Sequence, residues 1–195
     1  MKKVVRFIIR IILTVLYRVE FIGRENVPLK GAALLCANHP GELDMFFIGC
    51  KIKRIVHYMA KEELFKNPLV SAFITWVGAF PVKRGKVDIG AVKKAYTLLS
   101  KGHIVGILPE GTRVGKKDRK NVKVWPGAAM IAVNANVPVI PVGVNGDYKL
   151  FSKVRVVFGK PYYLEVDRNK KYTKEEFSQM SRDIMDKIYS LVEEI

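Results

Sequence analysis

Five short apolar runs, separated by stretches of helical character, constrain the fold of this chain more than any other feature. Gly31 to Ala37, Arg54 to Ala60, His103 to Leu108, Val137 to Val144 and Val154 to Phe158 have strand-like content. Between them Asp88 caps a segment closed by Gly102, and Pro126 opens another that runs to about Asn136. Thr173 with Glu176 forms a capping box for the last helix. In that helix Phe177, Met180, Ile184, Ile188 and Leu191 fall on one face, which is a packing stripe. Alternation of this kind predicts a single α/β domain: a central, mainly parallel or mixed sheet flanked by helices, with functional loops at the strand ends. With 195 residues, 49% of them apolar, the chain can fill a core for one domain, or one domain plus a small appendage.

Charge and cysteine narrow the class. Cys36 and Cys50 form no CxxC pair, so neither a disulfide framework nor a zinc cage is indicated, and Cys36 in an apolar run reads as core. The formal net charge is +16. It is concentrated: residues 1 to 164 hold 28 Lys/Arg against 10 Asp/Glu, and residues 165 to 195 hold six against eight. Such a surplus attracts polyanions, whether nucleic acid, anionic lipid headgroups or phosphorylated substrates. A basic nucleic-acid-binding module is the reading from another class, but no helix-turn-helix signature, zinc finger or RNP-type aromatic strand supports it.

The first residues favour a lipid surface. Residues 4 to 17 are almost wholly apolar, and on a helical wheel Lys2, Arg6, Arg10 and Thr14 form one narrow polar stripe. Fourteen helical residues extend roughly 21 Å at 1.5 Å each, short of the ~30 Å hydrocarbon core. The segment is therefore expected to lie in the interface or dip into one leaflet. The competing reading is a helix packed on the domain's own core. A signal peptide would need a small-residue cleavage site, whereas Arg18, Val19, Glu20 and Phe21 come next.

Two loops carry the chemistry. In Asn38-His39-Pro40-Gly41-Glu42-Leu43-Asp44 the turn formers Asn38 and Gly41 and the stiff Pro40 precede a helix-like run from Leu43 to Ile52. A carboxylate one helical turn in can accept a hydrogen bond from the imidazole Nδ1, fixing its tautomer and leaving Nε2 to take a proton. No GxSxG elbow accompanies the pair, so a covalent acyl-enzyme has no evident nucleophile. The second loop, Leu108-Pro109-Glu110-Gly111-Thr112-Arg113, offers a cation and turn amides, and Gly78 to Gly85 places Lys83 and Arg84 between glycines. Together these suit a phosphate monoester. No Walker motif or GxGxxG is present.

The ordered set Asn38-His39 with Asp44, Gly78 to Arg84, Pro109 to Arg113 and Val137 to Val142 resembles the glycerolipid acyltransferase family, above all the bacterial 1-acylglycerol-3-phosphate acyltransferases. The resemblance covers roughly residues 20 to 160. It implies acyl transfer from acyl carrier protein or coenzyme A to the 2-hydroxyl of lysophosphatidic acid, giving phosphatidic acid in phospholipid biosynthesis. Glycerol 3-phosphate or another lysolipid is the alternative acceptor. By the same resemblance residues 1–24 form an interfacial helical segment and residues 25–195 the acyltransferase domain. His39 is the expected base and Asp44 its orienting partner. Arg84 and Arg113, with Lys61 as a third ligand, hold the acceptor phosphate. Asn38, Glu110, Gly111 and Thr112 shape the site.

Neither metal nor resident cofactor is expected, the thioester being a co-substrate. The expected partners are an anionic membrane surface, lysophosphatidic acid and the acyl carrier or CoA thioester, with no nucleic acid. The expected location is the cytoplasmic face of the cell membrane, peripheral or monotopic. Many relatives have Ser where Gly41 and Val114 stand, so any hydrogen bonds from those hydroxyls are absent. Val137 to Val142 reads as core, and His57 and His103 read as structural. Lys116, Lys117, Arg119, Lys120 and Lys123 form the densest basic patch, suited equally to a carrier or to lipid.

Overall fold

The computed structural model describes residues 2–85 and 88–193, excluding the side chains of residues 2–6, 10, 51, 116, 120 and 121. Seven strands, β1 (Arg18–Ile22), β2 (Ala33–Ala37), β3 (Val56–Lys61), β4 (Phe80–Val82), β5 (Ile104–Ile107), β6 (Val139–Gly146) and β7 (Lys153–Phe158), form one sheet in the order β1-β7-β6-β2-β5-β3-β4. All neighbours are parallel except β6 and β7, so the sheet is mixed. The helices are α1 (Lys2–Leu16), α2 (Asp44–Lys51), α3 (Pro68–Trp76), α4 (Ile89–Ser100), α5 (Gly127–Ala135) and α6 (Lys174–Glu193).

The central strand shows why the middle of the sheet needs apolar runs. Successive side chains of a strand point to opposite faces, and all five residues of β2 are buried. Ala33, Leu35 and Ala37 pack in the cluster that includes Phe47 and Ile48 of α2 and Leu13 of α1. Leu34 and Cys36 pack in the opposite cluster, with residues of α4, α5 and α6. A strand covered on both sides cannot alternate apolar with polar.

Local chemistry sets the helix ends. The Asp88 carboxylate accepts the Ala91 N–H at 3.0 Å to start α4, and Gly102 at φ 77° follows its end. At α6 the Glu176 carboxylate accepts the Thr173 N–H at 2.8 Å and Thr173 Oγ1 accepts the Glu176 N–H at 3.2 Å, completing the capping box. On α6 Ile184 and Ile188 are buried, with Met185 and Val192 beside them.

Three elements lie outside the five runs. α3 is capped by Asn67, whose side chain accepts from Leu69 and Val70, with Pro68 as its first residue. β4 has three residues, too few for a period to show. β1 pairs with β7 from Arg18↔Lys153 to Ile22↔Val157, so the sheet takes in residues of the N-terminal segment.

α1 divides its sides between protein and exterior. Leu13 is buried, and just beyond the helix Tyr17 meets Phe47 edge to face at 5.2 Å. Phe7, Ile8, Ile11, Ile12 and Val15 are exposed, the last at 65%. The side chains of Lys2, Arg6 and Arg10, three of the four members of the polar stripe, lie outside the described residues. Among the described residues no helix is long and apolar enough to cross a membrane.

Candidate active site

The two motif loops meet because their strands are neighbours. β2 and β5 run parallel with Cys36 level with Ile107, and three residues further on each chain stand His39 and Glu110. The His39 N–H donates to Glu110 Oε2 at 2.7 Å, and the Val114 N–H donates to the His39 carbonyl at 2.9 Å. On the other side of β2, Asn38 exchanges two hydrogen bonds with the backbone of Val144 in β6, at 2.9 and 2.7 Å. The histidine is thus held through its own backbone from the loop after β5 and through its neighbour Asn38 from β6, at the carboxyl ends where open α/β sheets bind ligands.

Asp44 is the first residue of α2, directly after Leu43, where the helix-like run is expected to begin. From there its Oδ2 accepts the Gly41 N–H at 2.9 Å and stands 2.8 Å from His39 Nδ1. The short Pro40-Gly41 turn makes this possible, because it folds the loop back over the helix start, where a carboxylate also meets the positive end of the helix dipole. Asp44 Oδ1 accepts the Tyr148 hydroxyl. Asp44 is fully buried and His39 nearly so. With Nδ1 occupied by the carboxylate, Nε2 is the ring nitrogen left for proton transfer.

Glu110 turns inward. It is buried, with Oε2 on the His39 N–H and Oε1 accepting the Tyr189 hydroxyl at 2.5 Å. Burial raises its pKa, outweighing the two donors that lower it. Gly111 turns at φ 66°, and a Cβ there would sit 2.9 Å from Trp125 Nε1, so this turn needs glycine on both counts.

His39, Lys61, Arg84 and Arg113 line one cleft of about 550 Å³. Its remaining wall is largely apolar, from Met45 and Phe46 of α2, Tyr58 of β3, and Val70, Phe73 and Ile74 of α3. Arg113 pairs with Glu42 at 2.5 Å and Lys61 with Glu63 at 3.3 Å, all four being well exposed. Partial burial holds the Arg84 pKa down, with Glu63 opposing and Arg113 adding to that effect. Asn38, Glu110, Gly111 and Thr112 do not line the cleft; the first three act on its backbone frame, and Thr112 is exposed.

The other sequence candidates fall elsewhere. Cys36 is buried on the opposite face, where burial pushes its thiol pKa far up. His57 Nδ1 is 2.9 Å from the Gly78 carbonyl, His103 packs on the His57 ring, and neither lines the cleft. Val139 to Val142 are buried in the middle of the sheet. In the basic patch Arg119 lies over the Tyr189 ring and Lys123 over the Trp125 ring, while the side chains of Lys116 and Lys120 lie outside the described residues. Sequence reading missed Glu42, Tyr148 and Tyr189. Each meets its partner across a long stretch of chain, and no spacing rule marks such a pair.

A histidine paired with a carboxylate, beside cations and an apolar wall on a mixed α/β sheet, is an arrangement suited to acyl transfer. Residues 18–145 match the Acyltransferase family model, and the chain belongs to that family. It is 30% identical over 189 residues to the 1-acyl-sn-glycerol-3-phosphate acyltransferase of Bacillus subtilis, covering 94% of this chain and 92% of that one. With the enzyme of the same name from Borreliella burgdorferi the identity is 26%, covering 83% and 67%. The crystal structure of the 1-acyl-sn-glycerophosphate acyltransferase of Thermotoga maritima superposes with a TM-score of 0.66 at 28% identity, covering 90% of this chain and 71% of that chain.

Proposed function

We propose that this enzyme transfers a fatty acyl group from a thioester of acyl carrier protein or coenzyme A to the 2-hydroxyl of 1-acylglycerol 3-phosphate, forming phosphatidic acid for phospholipid synthesis. The observation that carries this reading is a single cleft in which His39, held by Asp44, shares its walls with three cations and a run of apolar side chains. The relatives from Bacillus subtilis and Borreliella burgdorferi carry this activity in their names.

In the proposed mechanism Arg84, Arg113 and Lys61 bind the acceptor phosphate, with Arg113 exchanging Glu42 for it. The acceptor hydroxyl attacks the thioester carbonyl while His39 Nε2 takes its proton. Asp44 holds the ring and stabilises the imidazolium. The tetrahedral intermediate collapses, the C–S bond breaks, and the thiolate recovers the proton from His39, leaving ester, free thiol and neutral imidazole. No acyl group is attached to the protein, and neither metal nor cofactor takes part. General base action of this type contributes ~10²- to 10⁴-fold, and holding the reactants together supplies much of the rest.

The exposed side of α1, with its Phe7, Ile8, Ile11, Ile12 and Val15, supports peripheral attachment to a membrane, which we place at its cytoplasmic face, with α1 as the attaching part of residues 1–24 and β1 belonging to the sheet of the acyltransferase domain. Each basic residue near an anionic surface adds about 1 kcal/mol to such binding. Lys117 and Lys123, which are exposed, and the half-exposed Arg119 are our candidates to meet an acidic carrier or lipid headgroups.

Thiol release from acyl carrier protein thioester or acyl-CoA, measured with and without lysophosphatidic acid, tests the reading. Acceptor-dependent release yielding phosphatidic acid, absent in His39→Ala, is the expected result. Release only with glycerol 3-phosphate or another lysolipid would move the assignment to that acceptor. Salt-sensitive DNA binding with no transfer to any acceptor would return the chain to the nucleic-acid class.

A further inference from the structure

The buried carboxylate that orients His39 has a partner the base mechanism does not use. Asp44 Oδ2 is taken by His39 and the Gly41 N–H, and Oδ1 accepts the hydroxyl of Tyr148, which stands on the loop after β6. Tyr148 packs against Phe47 of α2 at 5.8 Å between ring centroids, and its backbone adopts φ 56°, a region that a bulky residue rarely enters. A residue held there is over-determined by its surroundings. Burial first, and then the Asp44 charge, push the phenol pKa far up, so it stays a hydrogen-bond donor at every working pH.

Gly41 completes the arrangement. Its φ is not positive, so its backbone does not call for glycine. A Cβ at position 41 would nevertheless lie 2.5 to 2.7 Å from three ring carbons of Tyr148. The absence of a side chain at 41 is what lets the tyrosine ring close over the loop and reach Asp44. The turn that carries the catalytic histidine and the loop after β6 are therefore fitted to one another across 107 residues of sequence.

We infer that Tyr148 is a positioning residue for the transfer reaction, the third member of a Tyr148–Asp44–His39 chain, and that Gly41 is the space that admits it. The inference rests on the base role proposed for His39. Donation from the phenol fixes the second oxygen of Asp44, so that the first is aimed at Nδ1. It also draws charge from the carboxylate that His39 faces.

Tyr148→Phe keeps the ring and its packing and removes the donor, so folding is preserved. Its kcat is expected to fall about 10- to 100-fold, the cost of removing a hydrogen-bond partner that orients a metal-bound histidine, taken as the measure for this histidine. The acceptor KM should stay nearly unchanged. Gly41→Ala, which pushes the ring out, should reproduce the loss. In a Tyr148→Ala background, where no ring remains, Gly41→Ala should add little, the non-additivity of two residues acting through one contact. The downfield proton resonance of the His39–Asp44 hydrogen bond, assigned by its disappearance in His39→Ala, should shift in Tyr148→Phe whatever the acceptor is. An unmoved resonance with unmoved kcat would overturn the inference while leaving the base role of His39 intact. A shifted resonance in an enzyme that ignores lysophosphatidic acid would uphold it and remove only the acceptor assignment.

Discussion

The two halves of the cleft are built in opposite ways. Around His39 the carboxylates are enclosed and partnered: Asp44 accepts from three donors, and Glu110 accepts from the His39 backbone and Tyr189. Around the anion site the cations are exposed, and two of them are paired with acids that are themselves exposed. In the proposed mechanism the first half is complete before substrate arrives, and the second is completed by substrate. Fixed dipoles serve a proton transfer that tolerates little misalignment. Exchangeable surface pairs let a charged headgroup enter and its product leave.

That contrast makes graded predictions. The largest effect belongs to the enclosed half: His39→Ala should lower kcat by ~10²- to 10⁴-fold, with thermal unfolding little changed. Asp44→Asn should approach the same loss by releasing the ring. Arg84→Ala and Arg113→Ala should instead raise the acceptor KM about 10- to 100-fold, the worth of a charge-assisted hydrogen bond, with a smaller change in kcat. Equal kcat losses in His39→Ala and Arg84→Ala would abolish the division. Glu42→Gln removes the internal competitor for Arg113 and should lower the acceptor KM, by no more than about fivefold because the pair is exposed. Raised salt should narrow that difference.

The smallest effect is on stability. Because burial raises the Glu110 pKa, the folded protein keeps this proton after the unfolded chain has lost it. Stability associated with Glu110 is therefore fully present below the ordinary glutamate range and declines as pH rises through that range to the folded pKa. Chemical unfolding of the parent and Glu110→Gln across this window should show the parent losing ground as pH rises. A constant difference would mean that burial does not dominate at this carboxyl.

Legibility followed the range of the interactions. The five apolar runs correspond to β2, β3, β5, β6 and β7, and the caps at Asp88 and Thr173 act where the sequence places them. β4 was illegible because three residues show no period, and β1 because Arg18 and Glu20 interrupt its apolar residues at a sheet edge. The Asn67-Pro68 signal for α3 was present in the chain, yet the helix has no buried residue, so no amphipathic period accompanies it. Within the site, His39 and Asp44 were legible because they lie only five positions apart. Glu110 was legible as a site member, but its inward turn was not. Tyr148 and Tyr189 contact the site from 104 and 79 residues away.

By itself, the sequence determined the class of fold, the family and the residues that can carry charge or a proton, because patterning, capping and motif chemistry are local. Only the tertiary structure decided which of those residues share a cleft, because strand order is set by pairing between distant segments. By placing β5 and β6 on either side of β2, that order sets Glu110 against the His39 backbone and brings the loop after β6, with Tyr148, onto Asp44.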